Sequence, residues 1–420
     1  MREPRVPDKE GHGASPLRRL RILFIVASVL LVASNLRASI TAVGPLLDTI
    51  QEGVGLSTGV AGLLTAVPLL AFAALSPVAP GLSGRLGIER VLFGALLLLA
   101  AGILLRSSTS THPLVALFGG TLAIGLAIAL GNVLLPSLIK RDFPARTGLM
   151  TGLYTATMNT AAALASGISV PLASGLGIGW SGALALWTLP VLAAALLWIP
   201  RLRVGPRRGD TRHRSLARSG LWSSALAWQV TLFMGLQSVV FYVSITWLPA
   251  ILRDGGLAAA QAGWMVSIMQ LVAIPAAFFA PVLAERGASQ RMVIVCASTL
   301  SGVGILGLLL SAGGAGVILC VILLGLGQGA CISLALTLFA LRAPDPGRAA
   351  ELSSMSQTFG YLLAAAGPPA FGLLHEASGS WSLPLLALLA VTVGLAASGL
   401  GAGRDALVPS RSAVGVPEEG

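Results

Sequence analysis

The chain has 420 residues, of which 55% are hydrophobic and 10% charged, with a formal net charge of +11. Water-soluble globular proteins carry about 25% charged residues, so a chain this apolar is excluded from that class and must be solvated by lipid. The basic balance alone would suit nucleic acid, but the basic residues sit where membrane orientation requires them, and no nucleic-acid partner is expected.

A helix crossing the ~30 Å hydrocarbon core needs about 20 apolar residues. Twelve such runs occur, at roughly residues 20–45, 58–82, 90–106, 114–139, 147–171, 180–200, 222–250, 261–284, 291–311, 314–341, 349–373 and 380–402. The first follows a basic tail, residues 1–19, and imitates a secretion signal. Its apolar stretch continues to Pro45, so it reads as an uncleaved span. Within it, "SNLRASITAVGP" (34–45) carries Arg37. Glycines allow close helix approach in "GLAIALG" (125–131) and "GLGQG" (325–329). Between the sixth and seventh runs lies the longest polar stretch, 201–221, with seven arginines. Cys296, Cys320 and Cys331 fall inside spans with no pairing or metal spacing, and read as buried free thiols. Trp247 and Trp381 near outer ends, and Trp198 and Trp222 near inner ends, read as an interfacial belt. His375 reads as a surface or loop residue.

Lysine and arginine set the orientation. With the N-terminus inside, 24 of the 27 fall on inner segments and two, Arg106 and Arg253, on outer ones; Arg37 is the remaining one. This bias predicts a multi-pass protein of the cell membrane with both termini cytoplasmic.

The two sides of the polar stretch repeat one another. A shift of 201 lays Gly62 on Gly263, Pro80 on Pro281 and Arg85 on Arg286. A shift of 202 lays Gly125 on Gly327, Pro144 on Pro346 and Arg146 on Arg348, and "SIT" at 39–41 recurs at 244–246, a shift of 205. The expected organisation is an N-terminal six-helix half (20–200), a basic cytoplasmic linker (201–221), a homologous second half (222–402) and a tail (403–420). Two parallel halves of this kind are one known transporter plan, with the substrate held near the midplane between them.

Arg37 lies sixteen residues beyond Arg21. At ~1.5 Å per residue that is ~24 Å, between the midplane and the outer leaflet. Burying arginine in a span costs at least ~2.5–3.5 kcal/mol. Asp48, Glu52, Asp142, Glu285, Glu351 and Glu376 all fall near span ends, so no carboxylate is available deep inside. The counter-charge is therefore expected in a small-molecule substrate, since the planar guanidinium fork suits a carboxylate or another planar anion. The alternative is a structural arginine bonded to backbone carbonyls, with a neutral or amphiphilic cargo, as in drug efflux.

Other polar residues deep in spans are Asn35, Asn132, Tyr154, Asn159, Gln237, Tyr242, Gln270, Gln328, Gln357 and Tyr361. Thr41 shares a helical face with Arg37, and Gln357 shares one with Tyr361. Such groups bind a small solute or bond across helices. The candidate substrate contacts are Arg37, Asn35, Thr41, Asn132, Tyr154, Asn159, Gln237, Gln328, Gln357 and Tyr361. No G-x-x-x-x-G-K-[ST] stretch occurs, which argues against ATP-driven transport by this chain. With no paired acids and no His/Glu cluster in the spans, neither an enzyme activity nor a metal or other cofactor is expected.

Twelve spans arranged six plus six around a basic loop resemble the major facilitator superfamily. Its signature after the second helix, roughly G-x-x-x-D-R-x-G-R, is partly matched by "GLSGRLGIER" (81–90), with Arg85 and Gly87 in place and Gly84 where the aspartate would stand. "PVLAERG" (281–287) keeps the acid–base pair as Glu285 and Arg286. The resemblance assigns gating to Arg85, Glu285 and Arg286. Longer stretches are similar to the cyanate/2-nitroimidazole transporter family within that superfamily: "NLRASITAVGPLL" (35–47), "GNVLLPSLIKRDFP" (131–144), "GLMTGLYTATMN" (148–159) and "LSSMSQTFGYLLAAAGPPAFGLLHEASGSW" (352–381). This implies an all-α polytopic fold of two six-helix halves, working as a monomer by alternating access. Helices 1, 4, 7 and 10 would line the cavity, with 5 and 11 beside them. The cargo would be a small cyanate-like or nitroimidazole-like solute.

Overall fold

The computed structural model describes residues 16–108, 112–143, 146–203, 221–285, 289–310, 315–344 and 346–409, and among them there is no β-strand. Fifteen α-helices follow in order. They are α1 (Pro16–Thr41), α2 (Leu47–Val54), α3 (Thr58–Leu75), α4 (Ala79–Leu86), α5 (Ile88–Arg106), α6 (Pro113–Asp142), α7 (Thr147–Val170) and α8 (Gly179–Ala185). Then come α9 (Thr188–Trp198), α10 (Ala225–Asp254), α11 (Ala259–Glu285), α12 (Arg291–Leu310), α13 (Ala315–Leu341), α14 (Pro346–Ser378) and α15 (Ser382–Ala402). α2 and α4 are short accessories. α8 and α9 make one span broken at Leu186 and Trp187, which leaves the twelve spans expected.

Ten stretches are long and apolar enough to cross a membrane by length and composition. The other two spans, α7 and α14, carry more Ser, Thr, Asn and Gln and take part in the seam between the halves, where α7 packs on α11 and α14 on α3. Leu97, Leu104, Leu105, Leu310 and Leu386 are exposed on the outer surface, where hydrocarbon solvates them. At the signature stretch, Gly87 turns the chain from α4 into α5 with φ 88°, a conformation that side chains beyond glycine rarely take.

The two halves pack by the same rules. In the first, a Cβ on Gly102 would lie 2.9 Å from both Gly120 O and Ile124 N; in the second, one on Gly304 would lie 2.6 Å from Cys320 O and 2.8 Å from Leu324 N. Gly125 abuts Pro68 and Ala71 of α3, and Gly325 abuts Met269 and Val272 of α11. The partner of Gly125 is thus Gly325, not the Gly327 that a constant shift suggested. Gly327 instead packs on Ser301 and Ala297 of α12. Between halves, Gly62 of α3 abuts Pro368 and Pro369 of α14, and Gly263 of α11 abuts Ser166 of α7. One contact mirrors the other.

Polar contacts between halves lie toward the end opposite residues 201–221, here called the distal end. They are the Arg253–Asp48 ion pair, Gly59 N–H to Glu376 Oε1 (3.0 Å), Thr246 Oγ1 to Thr65 Oγ1 (3.0 Å), Ser267 Oγ to Ala163 O (2.6 Å) and Gln270 Nε2 to Ser166 Oγ (3.3 Å). All five of these contacts lie at the distal end. The molecule is sealed distally.

Candidate functional site

The distal seal fixes the height of Arg37. Thr41 Oγ1 donates to Ala162 O on α7 (3.0 Å) and Ser166 Oγ donates to Thr41 O (3.2 Å). These bonds lock α1 to α7, and one turn toward the linker end Arg37 meets Asn159. Its Nη1 donates to Asn159 Oδ1 at 2.7 Å. The guanidinium carbon lies 4.7 Å from the centre of the Phe241 ring on α10. Phe241 meets Tyr242 edge-on at 5.2 Å, and Tyr361 on α14 meets Phe72 on α3 edge-on at 5.4 Å.

The chain has three tyrosines, Tyr154, Tyr242 and Tyr361, and the charge of Arg37 acts on all three. Tyr154 and Tyr242 are buried and Tyr361 half-buried. None of the three hydroxyls has a hydrogen-bond partner among the described residues. A charge-assisted hydrogen bond contributes ~1.5–3 kcal/mol and a ring face ~0.5–2 kcal/mol. Both stabilise the arginine and neither neutralises it, and Arg37 takes part in no ion pair among the described residues. The layer is a half-buried cation ringed by aromatic faces and hydroxyls, suited to a flat, acceptor-bearing solute.

Asn159 bonds Arg37, and Tyr154 and Tyr361 feel its charge. Gln357 is half-buried four residues before Tyr361, with its Nε2 on Ser353 Oγ (2.9 Å). Asn132 is half-buried on α6, seven residues after Gly125 and so on the face that meets α3. The structure places the other four candidates in helix packing. Asn35 is 2% exposed and donates to Leu31 O (2.7 Å) and to Pro190 O on α9 (3.3 Å). Thr41 is consumed by the α1–α7 lock. Gln237 bonds to Ser238 and Met234 on its own helix, and Gln328 to Ser301 Oγ on α12 (3.3 Å). A backbone carbonyl or a short hydroxyl takes the amide N–H of Asn35, Gln237 and Gln328, while the Oε1 of Gln328 stays buried without a partner.

Phe72, Phe241 and Tyr242 are the residues that the expected site lacked. The "SIT" repeat pointed to the last, since the shift of 205 lays Arg37 on Tyr242. Both residues have their backbone oxygen held by the threonine one turn on, Thr41 (3.2 Å) and Thr246 (2.7 Å). Arg106, counted as an outer-loop residue, is instead 2% exposed, with Nη1 on Ser39 O (2.8 Å). The backbone-bonded arginine is this one.

Of the gating candidates, Arg85 is exposed on α4. The side chain of Glu285, and Arg286, lie outside the described residues. The acid missing at Gly84 has a neighbour in Glu89, 2% exposed, which takes Arg141 Nη2 at 2.5 Å. Arg141 also holds Asp142 (2.8 Å), which pairs with Arg201 over the Trp198 ring. Trp198, Trp247 and Trp381 are buried and hydrogen-bonded to Glu89 O, Pro368 O and Asp254. Trp222 alone of the four is exposed as a belt residue would be. Cys296 is exposed on α12, while Cys320 and Cys331 are buried.

The Major Facilitator Superfamily model matches residues 29–368 and again 230–411. An uncharacterized transporter of Bacillus subtilis is 48% identical over 92% of this chain and 95% of its own length. A 2-nitroimidazole transporter of Escherichia coli is 45% identical over 91% of this chain and 96% of its own. A cyanate transport protein of Escherichia coli is 28% identical over 84% and 90%. Among solved structures, a bacterial homolog of the human lysosomal transporter Spinster, inward-facing and occupied, superposes with a TM-score of 0.72 over 93% of this chain and 97% of that one. At 14% identity it speaks for the fold alone.

Proposed function

Because the chain belongs to the major facilitator superfamily and is a multi-pass membrane transporter, we propose that it carries a small planar anion, or a nitro- or azole-type solute, by alternating access, with Arg37 as the principal contact. The observation behind this is the pairing of Arg37. Its partners are a neutral amide and a ring face, so the positive charge is left for the cargo to match. The named relatives carry cargo of that kind, a nitro-substituted ring in one and a triatomic anion in the other. The basic bias favours a cytoplasmic linker, with the distal seal facing out.

The rival reading, a carrier of neutral or amphiphilic compounds, needs Arg37 to be structural. That part is filled by Arg106, which bonds to backbone and not to the cavity layer. The test is binding and counterflow with purified protein, using 2-nitroimidazole, cyanate and benzoate as probes. Arg37→Lys keeps the charge but loses the planar fork, and should weaken the bound probe about tenfold or more. Arg37→Gln should abolish counterflow while the protein still purifies as a folded monomer. Unchanged affinity in Arg37→Gln would overturn the assignment.

A further inference from the structure

The internal repeat tells more about the site than the position of Arg37. In α1 and α10 the offset is 205, anchored by Ser-Ile-Thr at 39–41 and 244–246. It makes Tyr242 the counterpart of Arg37. In α7 and α14 the offset is 202, anchored in three dimensions by the mirrored seam, where Gly263 meets Ser166 and Gly62 meets Pro368. It makes Tyr361 the counterpart of Asn159. In the first half the two residues are one unit, Arg37 bonded to Asn159 at 2.7 Å. In the second half their counterparts are two phenols, Tyr242 on α10 and Tyr361 on α14, helices that pack against each other.

Repeat counterparts stand at one depth on opposite walls of a two-half carrier. The site therefore has two unlike jaws, a guanidinium with an amide and a pair of phenols. The phenol hydroxyls have no partner among the described residues and are absent from the fully buried polar atoms left without one, so they remain open to a solute. Phe241, between Arg37 and Tyr242 in the chain of ring contacts (4.7 Å and 5.2 Å), supplies a flat apolar wall. A triatomic anion satisfies the first jaw alone. A ring with a polar group at each end satisfies both.

We infer that Tyr242 and Tyr361 form the second jaw of the site and recognise a hydroxyl or second acceptor group at the end of a ring-shaped substrate remote from Arg37. This rests on the proposed role of Arg37 as the contact for the anionic end. The substrate class is a monocyclic aromatic acid, or nitro compound, with a polar substituent opposite the acidic group. Each phenol donates to an acceptor or accepts from a hydroxyl. Such a solute touches α1 and α7 at one end and α10 and α14 at the other, so it is held by both halves.

Benzoate and 4-hydroxybenzoate differ only at that remote end, and their ratio of affinities isolates the second jaw. Binding is measured on the full-length protein by calorimetry. The expected result is that 4-hydroxybenzoate binds about tenfold more tightly than benzoate, the value of one neutral hydrogen bond. Tyr242→Phe and Tyr361→Phe each remove one hydroxyl and keep the ring. Each should bring the ratio toward one by weakening 4-hydroxybenzoate more than benzoate. Arg37→Lys should weaken both ligands equally and leave the ratio intact. A wild-type ratio near one, no binding of either acid, or a ratio that survives both phenylalanine substitutions overturns the second jaw while the role of Arg37 stands or falls on its own variants. Unchanged binding in Arg37→Gln overturns the underlying reading instead.

Discussion

Gly62 is the seam residue whose enlargement has the most readable effect. A Cβ there would sit 2.7 Å from Pro368 O and from Pro369 Cα, and 2.8 Å from Pro368 C, all backbone atoms of α14. No rotamer change relieves such a contact, so α3 and α14 must separate. Overpacking of this size costs ~1–3 kcal/mol. The strain exists only while the distal seal is closed, so it moves the open-to-closed ratio about 5- to 150-fold toward distal opening. The α3 helix itself gains ~1 kcal/mol from Gly→Ala, and a variant without strain at the seam would simply be more stable. The assay uses a background in which Cys296, Cys320 and Cys331 are replaced by alanine. Thr65→Cys, in the seal beside Thr246, is then labelled from the distal side with an impermeant maleimide. Gly62→Ala should speed labelling by the stated factor. Gly120→Ala is the control: its contacts, Gly102 O and Arg106, lie within one half, so it should lower the melting temperature without changing the labelling rate. A folded Gly62→Ala protein that labels at the parent rate would refute the reasoning.

Three other expectations concern the ends of the molecule. Glu89→Gln leaves Arg141 with Asp142 alone; discounted for the 29% exposure of Arg141, the loss should be about 2 kcal/mol, seen as a lower melting temperature with probe affinity unchanged. The Glu376 carboxylate is held below the usual range by the Gly59 N–H, helped by Ser57 and the Thr58 N–H. Its closing effect is complete above the ordinary glutamate value of about 4.3 and is lost as pH falls through the lowered one. Distal opening, read as the distance between spin labels across the seal, should therefore be flat from neutral to mild acid and rise only below it, and Glu376→Gln should remove that rise. Reporter fusions after residues 210 and 415 should read cytoplasmic and those after 50 and 255 external; a reversed pair breaks the orientation.

The apolar runs made the spans legible, since twenty residues without charge have one use at this density. Arg37 was legible because a charge inside such a run has to be explained. The polar neighbours were harder, because composition does not say which way an amide points. Asn35 and Asn159 look alike in sequence, yet one bonds to Pro190 O on α9 and the other to Arg37. Tyr242 was passed over because a phenol in a span reads as packing until its repeat counterpart is known. Arg106 misled through its position at a span end, where burial depends on how α5 docks against Ser39. The tryptophans failed as belt markers for the same reason: Trp198 and Trp247 turned inward to reach backbone oxygens.

The rarity of tyrosine in this chain has a practical consequence. Eight tryptophans and twelve phenylalanines are spread through the molecule, but all three tyrosines feel the charge of one guanidinium. Isotope enrichment of tyrosine rings alone, with no substitution anywhere, would give a nuclear magnetic resonance spectrum of three residues, and every one of its signals would come from the layer around Arg37.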